Sequence, residues 1–185
     1  IKNSSGTVAL TKTGSGTQVL SQDNTYGGTT TINAGTLQIG SGGTNGTFGS
    51  GSVVNNASVV YYRSDASDIN IGKVISGGNI TYRSTGVSGQ GRYIVDENNS
   101  YNGGTTITNA SVRAQHNNAF GSGTVTVRNG GQIFVDTAGL TLANALNLSG
   151  NGWIEATGTN GALRIWNNNI VSGPITLSAA TRICA

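Results

Sequence analysis

Residues able to do acid–base or metal chemistry are scarce in this chain, and their spacing limits what they can do. Among seven Asp and Glu, the pair with most chemical promise is Asp136 and Glu155. If each position stacks on the one 21 further along, Glu155 comes to lie over Phe134 and Asp136 under Thr157. The two carboxylates then become diagonal neighbours on one outward face, about 8 Å apart, from a strand spacing of ~4.8 Å and a two-residue step of ~6.6 Å. That falls within the ~6.5–9.5 Å that inverting glycosidases use to hold a water between acid and base. A flat outward face leaves both acids in solvent, however, so they are expected to face a ligand rather than to catalyse. The single histidine, His116, sits in the polar loop Gln115–Asn118 with no Gly-Asp-Ser-Gly motif, so a Ser–His–Asp centre is not expected. One His and one Cys cannot assemble a zinc site, and no Gly-Gly-x-Gly-x-Asp calcium turn occurs. Asp65 and Asp68, three residues apart, read as the start of a turn. No cofactor, no metal and no enzymatic activity are expected.

A second candidate for ligand contact is the tripeptide Tyr62-Arg63-Ser64, which recurs as Tyr82-Arg83-Ser84 at an offset of 20. Stacking Tyr62 on Tyr82 and Arg63 on Arg83 at strand spacing would give an outward aromatic ladder beside two cations able to grip an anion. The remaining charges are thin. The chain is 185 residues with 9% charged residues and formal net charge +3, against the roughly one quarter usual in soluble domains. Its ten Lys and Arg are dispersed in sequence, too sparse for a nucleic-acid footprint, which needs several phosphates neutralised together. The surface must be covered by Ser, Thr, Asn and the 30 glycines. No apolar run approaches the ~20 residues of a membrane-spanning helix. Asn-x-Ser/Thr triplets, frequent as they are, follow from the composition and do not indicate glycosylation.

What must position these residues is a repeat. NTYGGTTTINAGTLQ (residues 24–38) returns as NSYNGGTTITNASVR (residues 99–113), an offset of 75, and both copies continue to Phe-Gly-Ser-Gly at 48–51 and 120–123. The matching region runs from 24–53 to 99–125. Inside it lies a period of 21: Val112, Ile133, Ile154 and Ile175; Tyr93, Ala114, Val135, Ala156 and Leu177; Ile32, Val53, Val74 and Val95; and the pairs Leu142–Leu163 and Val127–Leu148. Apolar residues within a coil sit two apart, the alternation of strands. Asn129-Gly130-Gly131, Ala138-Gly139 and Gly150-Asn151-Gly152 supply turns between them. The expectation is one all-β domain over 1–185, a right-handed parallel β-helix (β-solenoid) of about 21 residues per coil. Nine or so such coils make a rod on the order of 40 Å long.

The run KTGSGTQVLSQDNTYGGTTTINAGTLQIG (residues 12–40) resembles the passenger-associated transport repeat of bacterial autotransporters. Thr13-Gly14-Ser15-Gly16-Thr17, Asn24-Thr25-Tyr26 and Gly35-Thr36-Leu37 carry the resemblance in the first copy. The second keeps Asn99-Ser100-Tyr101 and Gly103-Gly104-Thr105-Thr106-Ile107 but has Ala110-Ser111-Val112 where Gly-Thr-Leu is usual. Gly161-Ala162-Leu163-Arg164 and Ser172–Leu177 also look like the family's linking segments. The resemblance implies an extracellular segment at the bacterial cell surface, linked to the outer membrane by a β-barrel that this sequence lacks.

On that reading the chain is a fragment of a longer structural or adhesive protein, a stiff rod or fibre that presents or spaces binding elements. The alternative is a carbohydrate-active β-helix enzyme or a polysaccharide-binding module. Partners are expected to be host or surface glycans or proteins, contacted by Tyr62, Arg63, Tyr82, Arg83, Asp136 and Glu155 and by the loops at 40–45 and 115–118. The other expected partner is a second copy, joined end to end, because the terminal coils show no capping repeat.

Overall fold

The computed structural model describes residues 1–87, 90–155 and 158–185. No helix occurs among them, and every ladder but one is parallel. The chain winds as a parallel β-solenoid with three faces. The first face carries Leu10–Lys12, Thr30–Ile32, Val53–Asn55 and Ile75–Ser76. The second is an eight-stranded sheet running the length of the rod, from Thr17–Leu20 through Thr36–Ile39, Ser58–Tyr62, Asn79–Arg83, Thr105–Thr108, Val125–Arg128 and Leu146–Gly150 to Ile175–Thr181. The third begins only at Ile69–Asn70 and continues with Tyr93–Val95, Ser111–Ala114, Gln132–Val135, Leu163–Ile165 and Ile183–Cys184.

Alternation within each short strand sends every second side chain inward, and stacking turns these into continuous apolar columns. On the second face one column is Leu37, Val59, Ile80, Thr105, Val125, Leu146 and Ile175. Its neighbour is Ile39, Tyr61, Tyr82, Ile107, Val127, Leu148 and Leu177. The third face adds Tyr93, Val112, Ile133, Leu163 and Ile183. Apart from the polar Thr105 and the exposed last members Ile175, Leu177 and Ile183, these columns merge into one core.

The 21-residue register holds where Val112 pairs with Ile133, Ala114 with Val135 and Val127 with Leu148. It holds too between Ser58–Tyr62 and Asn79–Arg83; elsewhere it slips, because the corners between faces absorb loops of different length. Tyr93 pairs with Val112 rather than Ala114. Val53 pairs with Thr30 and Ile75, not with Ile32 and Val74, and Val74 is exposed. Leu142 pairs with Val171 rather than Leu163. The largest slip follows Ile133, whose partner is Leu163 instead of Ile154. The extra residues form an antiparallel hairpin, Ile154–Glu155 against Gly158–Thr159, at the corner between the second and third faces. Ile154 therefore leaves the expected column and is 50% exposed, while Ile133 is fully buried. Ala156 and Thr157, which the 21-residue period would stack on Val135 and Asp136, lie outside the described residues.

The contrast is measurable. Ile133→Ala is expected to cost ~2–5 kcal/mol, and Ile154→Ala less than ~0.5 kcal/mol, as for surface sites generally. Urea titrations giving equal losses would overturn this register.

The recurring words of the repeat have a mechanical role that its two copies share. Asn24 donates its side-chain amide to the Thr47 carbonyl one turn on (2.8 Å), and Asn99 does the same to Ala119 (3.1 Å). The Tyr26 hydroxyl meets Thr30 Oγ1 at 2.6 Å, and that of Tyr101 meets Thr105 Oγ1 at 2.7 Å. Their main-chain carbonyls accept from Ser50 N (2.8 Å) and Ser122 N (3.0 Å) of the following turn. Gly49 and Gly121 lie so close beneath that turn that a Cβ on either would stand 2.1 Å from the tyrosine carbonyl. Asn-x-Tyr and Phe-Gly-Ser-Gly are thus two halves of a clasp between successive turns.

The two copies do not occupy the same faces. Thr30–Ile32 lies on the first face and Thr36–Ile39 on the second, whereas their counterparts Thr105–Thr108 and Ser111–Ala114 lie on the second and third. The offset between the copies is not a whole number of turns. The chain returns to the first face at Ser100, whose N–H donates to the Ile75 carbonyl, so the second copy starts one corner further round.

Candidate functional site

The outward side of the third face carries the densest chemistry on the described surface. Strand pairing stacks Arg113, Phe134 and Arg164 in one outward column. Their neighbours are Arg92, entering the Tyr93–Val95 strand, and Trp166, leaving the Leu163–Ile165 strand. The guanidinium carbons of Arg164, Arg92 and Arg113 stand 4.7, 5.2 and 5.9 Å from the centre of the Phe134 ring. Arg164 also lies 3.9 Å over Trp166, whose ring meets Phe134 edge-on at 5.2 Å. The arginines dispersed in sequence are therefore not dispersed in space: three of them surround one buried phenyl ring.

Asp136 and Glu155 both belong to this cluster. Asp136 accepts from Arg113 Nε at 2.7 Å. Glu155 accepts from Arg92, from Arg164 Nη1 at 3.2 Å and from Asn160 Nδ2 at 2.8 Å. Asp68 lies 4.0 Å from Arg92. The expected stacking of Glu155 over Phe134 is replaced by Arg164, because Glu155 sits in the corner hairpin. Each carboxylate is taken up by arginine, so neither stands free beside the other as a general acid and base would need. Partly exposed pairs of this kind contribute ~0.2–1 kcal/mol each, somewhat more as a network. The cluster's geometry is that of a brace pinning the hairpin to the face, with guanidinium edges at its rim.

The Tyr–Arg recurrence resolves differently from its sequence reading. The register across these strands is 21, not 20, so Tyr61 stacks on Tyr82 and Tyr62 on Arg83. Tyr82 points into the interior, fully buried, 5.3 Å from Tyr61 and nearly parallel to it. Only Tyr62 and Arg83 face outward. The Arg83 guanidinium lies 3.9 Å over the Tyr62 ring and donates to Gln38 Oε1 at 3.1 Å. Arg63 is a strap: it holds Asp65 through two hydrogen bonds of 3.1 and 2.6 Å and donates to the carbonyls of Thr44 and Gly46. The two arginines are not stacked. Asp65 is thereby taken up as well, and no group of His, Cys, Asp and Glu able to hold a metal occurs among the described residues.

Behind Tyr62 runs an aromatic interior of Phe48, Tyr61, Tyr82 and Tyr93 with centroids 5.3–6.1 Å apart. Tyr93 Oη accepts from Arg63 N and donates to the Arg83 carbonyl, each at 2.7 Å. The hydroxyls of Tyr61 and Tyr82 are buried without a partner. Desolvation pushes the pKa values of Tyr61, Tyr82 and Tyr93 up, and that of Tyr101 also, opposed in part by its bond to Thr105.

Comparison with known proteins points to the same repeat as the clasps. The passenger-associated-transport-repeat family model matches residues 10–39 and 88–114, the two segments that contain the paired copies. The chain is 44% identical over 72 residues to the "Adhesin BmaC autotransporter" of Brucella suis biovar 1 (strain 1330). That match covers 39% of this chain and 2% of the relative, so the chain spans a small part of the curated relative's length. No solved structure matches.

Proposed function

We propose that this chain, which carries passenger-associated transport repeats of the autotransporter family, is a stiff adhesive segment that spaces and presents contact surfaces outside the cell. The repeats make it an extracellular or cell-surface β-solenoid. The observation that carries the rod reading is the second face: eight parallel strands in one continuous sheet, with the two Asn-x-Tyr clasps each tying one turn to the next beside it. Bending such a stack must break ladder hydrogen bonds and open the columns beneath them. Contact with glycans or proteins falls to the outward patches, Tyr62 with Arg83 and the rim of the Phe134 cluster. In the whole protein a β-barrel anchors the rod at the outer membrane. In isolation the segment associates end to end, because Ile175, Leu177 and Ile183 are 43, 55 and 44% exposed at the last turn beside unpaired strand edges. The carbohydrate-active alternative loses support from the arginines that occupy both of its carboxylates.

Displaying the chain on bacteria through an unrelated barrel tests both halves of this reading. Displaying cells should be retained on epithelial monolayers several-fold better than cells carrying the barrel alone; equal retention would remove the adhesive part. A tandem duplication should thicken the surface layer seen by electron microscopy by roughly 35–40 Å, eight more strand spacings. An unchanged layer would remove the rod.

A further inference from the structure

The third face starts late, and it leaves a cavity where it starts. Ile69–Asn70 is the edge strand of that sheet, paired on one side with Tyr93–Val95. In the two preceding turns the same face is closed only by the loops around 24–25 and 46–50. Between these loops and the edge strand lies an open-mouthed cavity of about 400 Å³, whose lining includes Ile39, Phe48, Tyr61, Ile69, Ile71 and Lys73. That volume is at the small end of the roughly 300–1,000 Å³ of small-molecule sites, so it suits one compact ligand and not a peptide.

The Tyr61 ring forms part of the wall, but its hydroxyl is closed off from solvent and so from the cavity. One polar group in the lining is poorly provided for. Lys73 makes a single long hydrogen bond, 3.4 Å to the Gly51 carbonyl, and no ion pair among the described residues. Burial lowers its pKa, opposed by the charge of Glu97, the direction expected of an ammonium that lacks a close counter-ion. Arg63, also at the wall, is saturated by Asp65 and two carbonyls and has little left to offer.

We propose that this cavity binds a medium-chain carboxylic acid, its hydrocarbon against Ile39, Phe48, the Tyr61 ring, Ile69 and Ile71 and its carboxylate received by the Lys73 ammonium. An apolar lining with a few convergent polar groups is the usual make-up of such a site. A carboxylate supplies the ammonium with a counter-charge, which a neutral alcohol or an alkane does not. The site is independent of the adhesive role.

Sodium decanoate is the probe, with 1-decanol and sodium butyrate as controls, titrated into the isotopically labelled intact chain. Decanoate should shift the methyl signals of Ile39, Ile69 and Ile71 saturably, and butyrate should not. Lys73→Met should weaken decanoate at least ~tenfold while leaving 1-decanol within ~twofold, the pattern of a lost charge pair rather than a lost fold. Three outcomes overturn the proposal: no saturable shift up to the solubility limit of decanoate, shifts centred elsewhere, or equal affinity for decanoate and 1-decanol. Co-sedimentation with phosphatidylcholine vesicles, competed by decanoate, would replace a free acid by a lipid chain as the occupant and overturn it also.

Discussion

Gly121→Ala should lower the stability of the chain by more than ~3 kcal/mol, an effect confined to a few mechanisms of which backbone strain with overpacking is one. Gly121 has φ +57, and a Cβ there would stand 2.1 Å from the carbonyl oxygen of Tyr101, itself fixed by its bond from Ser122. The methyl group cannot be relieved by a side-chain rotation, since the obstacle is main chain. Either the two turns separate, breaking the clasp, or the loop abandons the left-handed conformation that starts the next strand. Gly139 makes the natural comparison: it has φ +82 but nothing within 4 Å of its Cβ position, so alanine there should cost only ~1 kcal/mol of conformational strain. Gly16, with open space and no left-handed φ, should be close to neutral. Urea midpoints at constant m-value would give the ranking. A Gly121→Ala loss no larger than that of Gly139→Ala would mean that the clasp is not what joins the turns.

A steep alkaline unfolding is the second large effect. Burial raises the pKa values of Tyr61, Tyr82, Tyr93 and Tyr101. In the unfolded chain the same phenols titrate near pH ~10. Above that pH the unfolded state sheds protons that the folded state keeps, so stability falls as pH rises; below it, the stabilisation is fully present. Each such phenol lowers stability by about 1.4 kcal/mol per pH unit, and four together by about 5 kcal/mol per unit. Against a usual 5–15 kcal/mol for a whole domain, the fold should fail within one to three units above pH ~10. In a Tyr62→Phe chain, which lacks the outward tyrosine, circular dichroism and tyrosinate absorbance should then change together. Tyrosinate appearing at pH ~10 with the β signal intact would show these phenols to be open to solvent.

How much of this was legible in the sequence depended on which corners had constant length. Val112 with Ile133, and Val127 with Leu148, could be paired from spacing alone because no loop intervenes to change the count. Ile154 could not be placed, because the hairpin around it has the same turn residues as an ordinary corner and merely adds to its length. The alternation that put Tyr62 and Tyr82 in one column erred by a single residue, and in a strand one residue exchanges inside for outside. At the candidate site, Asp136 and Glu155 were recognisable as acids in strand context. Their partners Arg92, Arg113 and Arg164 become neighbours only when the unequal steps from Tyr93 to Val112, Val112 to Ile133 and Ile133 to Leu163 are known individually. Arg113 and Phe134, one regular step apart and outward, were the one visible signal of the cluster.

The displacement of the two repeat copies onto different faces bears on how such a protein grows. Each clasp closes between its own turn and the next, and nothing in it refers to a particular side of the rod. A duplicated stretch can therefore be spliced in without matching a whole number of turns, as a spiral staircase can be extended from any step. Every splice that is not a whole number of turns also swings the later copy to a new compass bearing. On the adhesive-rod reading proposed above, a gene that lengthens in this way would yield a fibre with the same decoration pointing in several directions, so that no particular roll of the fibre would be needed to bring one copy against a target.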